Sequence, residues 1–442
     1  MPRRSPRLKE TPHVSAGRSR TVPTAPAPER ALLIGIDQDR PDAAWSVQDS
    51  LDELAQLAAT AGADVVGSLY QRLREPVPAT YLGKGKLVEV RDRIAALDAD
   101  TVIADDELTP AQQRHLESTL DVRVLDRTAV ILDIFAQHAR TREGALQVEL
   151  AQLEYLLPRL SGHDSGLSRL GGGIGMRGPG ETKLESDRRR IRARIAELRR
   201  AIAEVRRQRT VQRRWRGRQG VPVVAIVGYT NAGKSTLLNG LTEADVRVED
   251  KLFATLDPTT RTLPLPHRQQ ALITDTVGFI QKLPTDLVAA FKATLEEVSE
   301  ADLLLHVVDA SSPHALAQSL TVYTILAQLG ADDKRVVTAL NKCDLVDDEE
   351  TIDEYLEDFP NPAPISAARH TNLEELRERI ADVLAAGFQP VEVLLPYEAK
   401  DLLDLIHLRG AIDDEDYRPT GAYIRGRVPP ELAGAFRAYQ VG

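Results

Sequence analysis

The sequence predicts an α/β protein in which two α/β domains flank a long helical hairpin, with a small α+β domain at the end. Three observations predict this order. Short β-rich runs alternate with helical stretches in residues 30–140 and again in residues 218–387, which is typical of sheets covered by helices. Between these regions, aliphatic residues recur every three or four positions along two long segments. The remainder, residues 388–442, combines one helix-like and one strand-like segment.

The composition is that of a globular protein that can bury its own cores. The chain has 442 residues and a net charge of −10, and no apolar run approaches the length of about 20 residues that crosses a bilayer. Its single cysteine, Cys343, excludes an intramolecular disulfide and fits a reducing compartment. The basic N-terminus continues into Pro, Ser and Thr instead of an apolar segment, so we expect no secretory signal and predict a cytoplasmic location.

Basic residues are concentrated in two places although the chain is acidic overall. Residues 1–29 are rich in Arg, Pro, Ser and Thr without an apolar period, so we expect a disordered basic tail there. The second concentration runs from Lys183 to Arg218. The negative net charge argues against uniform coating of nucleic acid, but a basic segment can still meet a polyanion locally.

Residues 30–140 are expected to form the first α/β domain. Its strand-like runs alternate with helical spacing, which favours a small parallel sheet with helices. These runs lie at residues 32–36, 65–70, 101–104 and 122–125.

Two heptad-like patterns in residues 141–217 predict the helical hairpin. Two helices whose apolar stripes face each other satisfy both patterns. The loop between them is rich in glycine and is expected to end at Thr182, which forms a capping-box pattern with Glu185. The apolar positions are Leu146, Leu150, Leu153, Leu157 and Leu160 in the first helix, and Leu184, Ile191, Ile195, Leu198, Ile202 and Val205 in the second.

The glycine-rich loop contains a G-x-G-x-x-G match at residues 173–178. It follows a helical pattern instead of a strand, so a dinucleotide-binding fold is excluded. We expect a long mobile tip, in which Arg169, Arg177 and Lys183 flank glycines that permit close approach to crowded RNA. A simple linker is the alternative.

Residues 228–235, Gly-Tyr-Thr-Asn-Ala-Gly-Lys-Ser, match the phosphate-binding P-loop. They follow an apolar strand-like run and precede a helical segment, which is the context that this motif requires. The glycines allow backbone N–H groups and the helix N-terminus to point at phosphate oxygens. Lys234 supplies a cation for the outer phosphates, and the Ser235 hydroxyl supplies a ligand for Mg²⁺.

Three further motifs follow in the order used by GTP-binding proteins. Residues 275–278 read Asp-Thr-Val-Gly, residues 341–344 read Asn-Lys-Cys-Asp, and residues 366–367 read Ser-Ala. Each follows a strand-like run, and open α/β sheets bind ligands at the carboxyl ends of their strands. The four motifs are therefore expected to share one site.

The Asn-Lys-Cys-Asp motif assigns the base. The Asp344 carboxylate can accept hydrogen bonds from N1–H and N2–H₂ of guanine, whereas adenine would leave this carboxylate unpaired. The sequence therefore predicts a P-loop GTPase domain at residues 218–387 that binds and hydrolyses GTP with Mg²⁺. No catalytic group is assigned, because Phe279 stands where Ras-like GTPases carry the glutamine that orients water. Slow intrinsic turnover, or catalysis completed by another group or partner, is expected.

Seven short segments spread over the chain share a pattern with one family of GTPases. They are residues 83–86 (Gly-Lys-Gly-Lys), 167–169 (Leu-Ser-Arg), 172–175 (Gly-Gly-Ile-Gly), 177–182 (Arg-Gly-Pro-Gly-Glu-Thr), 253–258 (Phe-Ala-Thr-Leu-Asp-Pro), 275–279 (Asp-Thr-Val-Gly-Phe) and 424–428 (Ile-Arg-Gly-Arg-Val). From about residue 31 to the C-terminus the chain resembles the HflX family of ribosome-associated GTPases. It departs from the family in its basic tail and in Leu170-Gly171, where a more polar pair is expected.

The resemblance implies a role at the ribosome. The N-terminal domain and hairpin would enter the large (50S) subunit, and the GTP form would help to split stalled ribosomes into subunits.

A switch threonine must complete the Mg²⁺ shell, and Thr255, Thr259 and Thr260 compete for this role. The position of Thr255 before Leu-Asp-Pro resembles the switch of Obg-like and HflX-like GTPases, so Thr255 is preferred.

The residues expected to contact the nucleotide are Gly228, Tyr229, Thr230, Asn231, Ala232, Gly233, Lys234, Ser235, Phe253, Ala254, Thr255, Leu256, Asp257, Asp275, Thr276, Val277, Gly278, Asn341, Lys342, Cys343, Asp344, Ser366, Ala367 and Ala368, with Ser235 and Thr255 as the Mg²⁺ ligands.

Two other functions remain as alternatives. A GTPase of tRNA modification would carry a catalytic cysteine near its C-terminus, whereas Cys343 lies inside the guanine motif. A signalling switch would use the basic hairpin to bind a protein partner. The chain is expected to be a monomer.

Overall fold

A four-stranded parallel sheet lies at the centre of the N-terminal region in the computed structural model, which describes residues 28–38, 45–160, 179–219, 221–242, 252–253, 255–256, 258–266, 269–284 and 296–441. The strand order is β2-β1-β3-β4. The strands are β1 (Arg30–Asp37), β2 (Asp64–Arg72), β3 (Thr101–Ala104) and β4 (Arg123–Asp126), and the helices are α1 (Val47–Ala61), α2 (Lys84–Leu97), α3 (Pro110–Leu120) and α4 (Arg127–His138).

The sequence explains why these elements form. The central strand β1 is an apolar run that is buried on both faces, as expected where helices cover both sides of a parallel sheet. Helix α1 begins after Ser46, whose side chain forms a capping box with Asp49, and ends at Gly62 in the left-handed conformation. The parallel sheet predicted for this region is confirmed.

The hairpin consists of α5 (Arg142–Leu156) and α6 (Pro179–Gln219). Leu150 packs against Ile195, Leu198 and Ile202, so the two predicted apolar seams do face each other. Arg194 adds a bidentate ion pair to Glu149, with N–O distances of 2.7 and 2.9 Å.

Helix α6 begins earlier than the sequence pattern predicts. The capping box at Thr182 was wrong, because α6 already begins at Pro179 and Thr182 lies inside the helix. Proline suits the first turn of a helix, where its missing N–H would be unpaired anyway. Helix α6 also runs to Gln219, beyond the predicted boundary at residue 217. The tip from 161 to 178, with Arg169 and Arg177, lies outside the described residues, as do residues 1–27 of the basic tail.

The next region contains a six-stranded sheet of order β10-β9-β8-β5-β7-β6, parallel except for β6, which is antiparallel to β7. The strands are β5 (Val223–Gly228), β6 (Thr259–Pro264), β7 (Gln270–Asp275), β8 (Leu303–Asp309), β9 (Arg335–Asn341) and β10 (Pro362–Pro364). The helices are α7 (Lys234–Thr242), α8 (Glu296–Glu300), α9 (Ala315–Gln328), α10 (Glu349–Asp358) and α11 (Leu373–Leu384), with a 3₁₀ turn at Cys343–Leu345.

The C-terminal region has an antiparallel sheet of order β11-β13-β12, in which Phe436 and Ile406 are fully buried against one face. Its elements are β11 (Gln389–Leu395), β12 (Ala411–Arg418), β13 (Gly421–Val428), α12 (Lys400–Arg409), α13 (Pro430–Phe436) and a 3₁₀ turn at Arg437–Tyr439. No helix among the described residues combines the length and apolarity needed to cross a bilayer.

The N-terminal region packs directly on the six-stranded sheet. One apolar core includes Leu51 and Phe135 of the former together with Val227, Phe253 and Phe279 of the latter. The rings of Phe135 and Phe253 meet edge to face with centroids 4.8 Å apart. Helices α1 and α4 of the N-terminal region are therefore in contact with the segments that surround the predicted phosphate site.

Candidate functional site

The four predicted motifs meet at one edge of the six-stranded sheet. Gly228, Asp275 and Asn341 are the last residues of β5, β7 and β9, and Ser366 follows β10 by two residues. These strands are parallel neighbours or near neighbours, so their carboxyl ends lie side by side. This is the edge at which open α/β sheets bind ligands.

Lys234 lies at the centre of the P-loop. Its side chain is buried, and Nζ donates a hydrogen bond of 2.6 Å to the carbonyl oxygen of Tyr229. Burial lowers the pKa of Lys234 to about 8, and the charge of Asp275 acts in the opposite direction. A phosphate group would restore the charge balance around this ammonium, as the P-loop prediction requires.

Three oxygen-bearing side chains cluster beside Lys234. Ser235 Oγ donates to Asp275 Oδ2 at 2.7 Å and lies 2.9 Å from Thr255 Oγ1. Asp275 is fully buried, and its Oδ1 has no hydrogen-bond partner within the described ranges. Burial raises the pKa of this carboxyl group, against the effect of the Lys234 charge. A hard cation removes such a conflict, so two hydroxyls backed by a buried carboxylate fit Mg²⁺, which completes its shell with phosphate oxygens.

Of the three threonines that competed for the switch role, only Thr255 approaches Ser235. Thr259 and Thr260 lie in β6, where Thr260 Oγ1 contacts Thr274 Oγ1 at 2.9 Å. The neighbours of Thr255 are placed differently. The side chains of Phe253 and Leu256 are buried in the core, and Ala254 and Asp257 lie outside the described residues.

Asn341 joins the P-loop to the base motif and to the Ser-Ala loop. Its Nδ2 donates to the carbonyl oxygen of Ala232 at 2.8 Å, and its Oδ1 accepts from the amide of Ala367 at 2.9 Å. Lys342 adopts a left-handed conformation and pairs with Asp309 at 2.7 Å. One side chain therefore fixes the relative positions of three motifs.

Asp344 stands at the place expected for recognition of the base. A hydrogen bond from Ser366, followed by the charges of Arg369 and Lys342, lowers the pKa of Asp344, so the carboxylate is ionised at neutral pH. Arg369 Nε lies 3.0 Å from its Oδ2. The thiol of Cys343, the residue before Asp344, donates to the carbonyl oxygen of Leu340 at 3.1 Å.

The remaining motif residues differ in burial and in their contacts. Thr276 Oγ1 donates to the carbonyl oxygen of Ile226 at 2.6 Å, and Val277 is buried. Asn231 adopts a left-handed conformation in the P-loop, whereas Ala368 is exposed beside the Ser-Ala pair. The Phe279 side chain is buried in the core and presents no polar atom to a water molecule.

Sequence reasoning missed two features of the site. Arg369 pairs with Asp344, the carboxylate predicted to recognise the base, and only its position three residues after Ser366 could have indicated this. Tyr229 Oη donates to Glu53 of the N-terminal region at 2.6 Å. A contact between residues 176 positions apart has no local signal in one sequence.

Comparison with known proteins matches three consecutive parts of the chain. Family models described as GTP-binding GTPase N-terminal, GTP-binding GTPase Middle Region and 50S ribosome-binding GTPase match residues 48–136, 138–216 and 223–342. The chain is 50% identical over 405 residues to GTPase HflX of Lacrimispora saccharolytica, and the aligned residues cover 91% of this chain and 94% of that relative. The chain belongs to the HflX family of GTPases. It therefore hydrolyses GTP, and the resemblance inferred from its motifs is confirmed.

Other relatives agree in extent. GTPase HflX of Escherichia coli is 42% identical over 409 residues, covering 91% of this chain and 94% of that relative. Among solved structures, a GTP-binding protein from the archaeon Sulfolobus solfataricus in complex with GDP is similar at 25% identity and a TM-score of 0.42, covering 80% of this chain and 98% of that chain.

Ser235→Ala is expected to weaken GTP binding only when Mg²⁺ is present, because it removes one of the two predicted protein ligands of the cation. Loss of a residue that only orients a metal ligand lowers metal affinity or activity by about 10- to 100-fold. We therefore expect the loss of a direct ligand to raise the Kd for GTP at least about tenfold when Mg²⁺ is present. Calorimetric titrations with Mg²⁺ and with EDTA measure the difference, and exposed Ser118→Ala serves as the control. Equal shifts in both titrations would show that Ser235 is not a ligand.

Proposed function

We propose that this GTPase binds the large (50S) ribosomal subunit in its Mg²⁺–GTP form and helps to split or rescue stalled ribosomes. The observation that carries the proposal is the match of residues 223–342 to a 50S ribosome-binding GTPase, combined with a long basic hairpin. A GTPase needs both a nucleotide site and a surface that reaches its target.

The hairpin has the length and charge for such a surface. Helix α6 has 41 residues, so it extends about 60 Å at 1.5 Å per residue. Arg194 and Arg199 bind α5 through ion pairs, whereas Arg189, Arg192 and Arg200 are exposed. Exposed arginines along a rigid helix can contact the phosphates of ribosomal RNA.

The proposal predicts that the protein separates 70S ribosomes into subunits when GTP or a non-hydrolysable analogue is present. Light scattering of purified 70S ribosomes should fall with the analogue and remain steady with GDP. Reversing two exposed charges, Arg189→Glu with Arg192→Glu, should weaken the effect and reduce its salt dependence, because each lost phosphate contact lowers the salt slope by about one.

The matched control leaves the exposed arginines of α6 unchanged. Glu197→Gln on the exposed side of α6 should leave splitting unchanged, since its contact is with Arg194 of the same helix. Steady scattering with every nucleotide would reject splitting. Capture of a protein partner without any binding to ribosomes would favour a signalling switch.

A further inference from the structure

Asp344, the carboxylate predicted to recognise the base, already accepts from three donors. The Ser366 hydroxyl and the backbone amide of Asp344 itself donate two of these hydrogen bonds. The third donor is Arg369, whose Nε lies 3.0 Å from Asp344 Oδ2. An ionised carboxylate has about four acceptor sites, two on each oxygen. About one site is therefore left for a ligand.

Guanine needs more than this remaining site. Its N1–H and N2–H₂ groups both donate to the carboxylate that recognises the base, so guanine brings two donors. Together with the three donors already present they exceed the acceptor sites of Asp344 by about one. One of the present donors therefore has to leave when guanine binds.

Arg369 is the donor that leaves most readily. Its side chain is 66% exposed, so water can replace the carboxylate as its partner, and exposed ion pairs are weak. Ser366 is only 2% exposed, and a buried hydroxyl that loses its acceptor is costly. The amide of Asp344 is held near its own carboxylate by the covalent chain. Guanine is therefore expected to displace Arg369.

The backbone around Arg369 keeps the guanidinium group within reach of Asp344. The amide of Ser366 donates to the Thr371 carbonyl at 3.2 Å, and the amide of Thr371 donates to the Ser366 carbonyl at 3.0 Å, so the two ends of this loop are joined. Within the loop, the amide of Arg369 donates to Ser366 Oγ at 3.2 Å. All three bonds use the backbone of residue 369 or none of its atoms, so a change of the Arg369 side chain leaves them in place.

We propose that Arg369 competes with guanine for Asp344, weakens the binding of GDP and GTP alike, and so speeds the release of GDP. A contact that exists only when guanine is absent opposes the binding of guanine. GDP and GTP carry the same base, so the effect does not depend on the γ-phosphate. Arg369 thereby promotes the exchange of GDP for GTP without a second protein. The proposal requires binding of guanine nucleotides but no ribosome.

Arg369→Met tests the competition, because methionine has a long side chain without a charge or a donor. An exposed ion pair changes an equilibrium by at most about fivefold, so the Kd values of GDP and of a non-hydrolysable GTP analogue should each fall about two- to fivefold. The release rate of labelled GDP, measured by stopped-flow fluorescence, should also fall. Arg369→Lys keeps the charge and should remain close to wild type. Arg437→Met, at an exposed position of the C-terminal region, is the control.

Inosine diphosphate separates competition from a structural role of Arg369. Its base lacks the 2-amino group of guanine and brings only N1–H to the carboxylate. Four donors then match about four acceptor sites, so Arg369 can stay in place. Arg369→Met should therefore change the Kd of inosine diphosphate by less than about 1.5-fold, and the preference for GDP over inosine diphosphate should increase. A structural effect on the loop would change both affinities by the same factor.

Ionic strength gives an independent measurement of the same contact. Salt screens exposed charges, so the difference in GDP affinity between wild type and Arg369→Met should shrink at about 1 M salt. Weaker or unchanged GDP binding by Arg369→Met at low salt would overturn the proposal. Equal factors for GDP and inosine diphosphate would also overturn it, as would a difference that salt does not reduce.

Discussion

Replacing Gly233 with alanine is expected to abolish useful nucleotide binding. A Cβ atom there would lie 2.3 Å from Asn341 Nδ2, and the φ of 94° is unfavourable for alanine. Asn341 would have to move and break its hydrogen bonds to Ala232 and Ala367. Each buried bond costs about 1–3 kcal/mol when broken. Two of them correspond to at least about 30-fold weaker binding.

Gly330→Ala is the matched control for this prediction. Gly330 also has a positive φ, 69°, but an added Cβ meets nothing within 4 Å. It therefore reproduces the backbone strain without the collision. Titration with labelled GTP and GDP, together with thermal unfolding, separates lost binding from lost folding. A Gly233→Ala protein that binds GTP within about threefold of wild type would show that Asn341 does not organise the site.

Asp344→Asn is expected to exchange guanine for xanthine. The ionised carboxylate accepts hydrogen bonds from N1–H and N2–H₂ of guanine, whereas the amide offers a donor that suits the C2 carbonyl of xanthine. Sites built on hydrogen bonds reject a mismatched analogue by up to about 10⁴- to 10⁵-fold. We therefore expect GTP affinity to fall by at least about 100-fold and XTP to become the preferred nucleotide.

Competition titrations with GTP, XTP and ATP measure this change. Asp347→Asn is the control, because it makes the same change at an exposed carboxylate outside the predicted nucleotide contacts. Its nucleotide preference should equal that of wild type. Unchanged GTP affinity of the Asp344→Asn protein would remove Asp344 from the base site.

The sequence predicts that the four motifs meet at one sheet edge, where the structure has them, because each motif depends on local chemistry. A glycine-rich turn between a strand and a helix, or an aspartate at a strand end, binds ligands through atoms within a few residues of each other. The facing seams of the hairpin were also readable, since heptad spacing places Leu150 and Leu198 on the sides of their helices that meet. The choice among the three candidate switch threonines required the family resemblance, because spacing alone did not distinguish Thr255 from Thr259 and Thr260 in β6.

The contacts between regions could not be predicted. Glu53, Arg127 and Lys282 lie in segments far apart in the chain, and each alone has the pattern of a surface charge. Only the packing of the N-terminal region on the region of the six-stranded sheet brings them together. The predicted start of α6 was wrong for a different reason. Thr182 and Pro179 both suit a helix N-terminus, and the helix begins at Pro179.

We propose that GTP, bound at this site, drives association with the large ribosomal subunit. Co-sedimentation with purified 50S and 30S subunits tests it most directly, with a non-hydrolysable GTP analogue, with GDP and without nucleotide. We predict that the protein pellets with 50S subunits when the analogue is present and much less with GDP, and that 30S subunits retain little of it. Equal pelleting with both nucleotides, or none with 50S subunits, would contradict the claim.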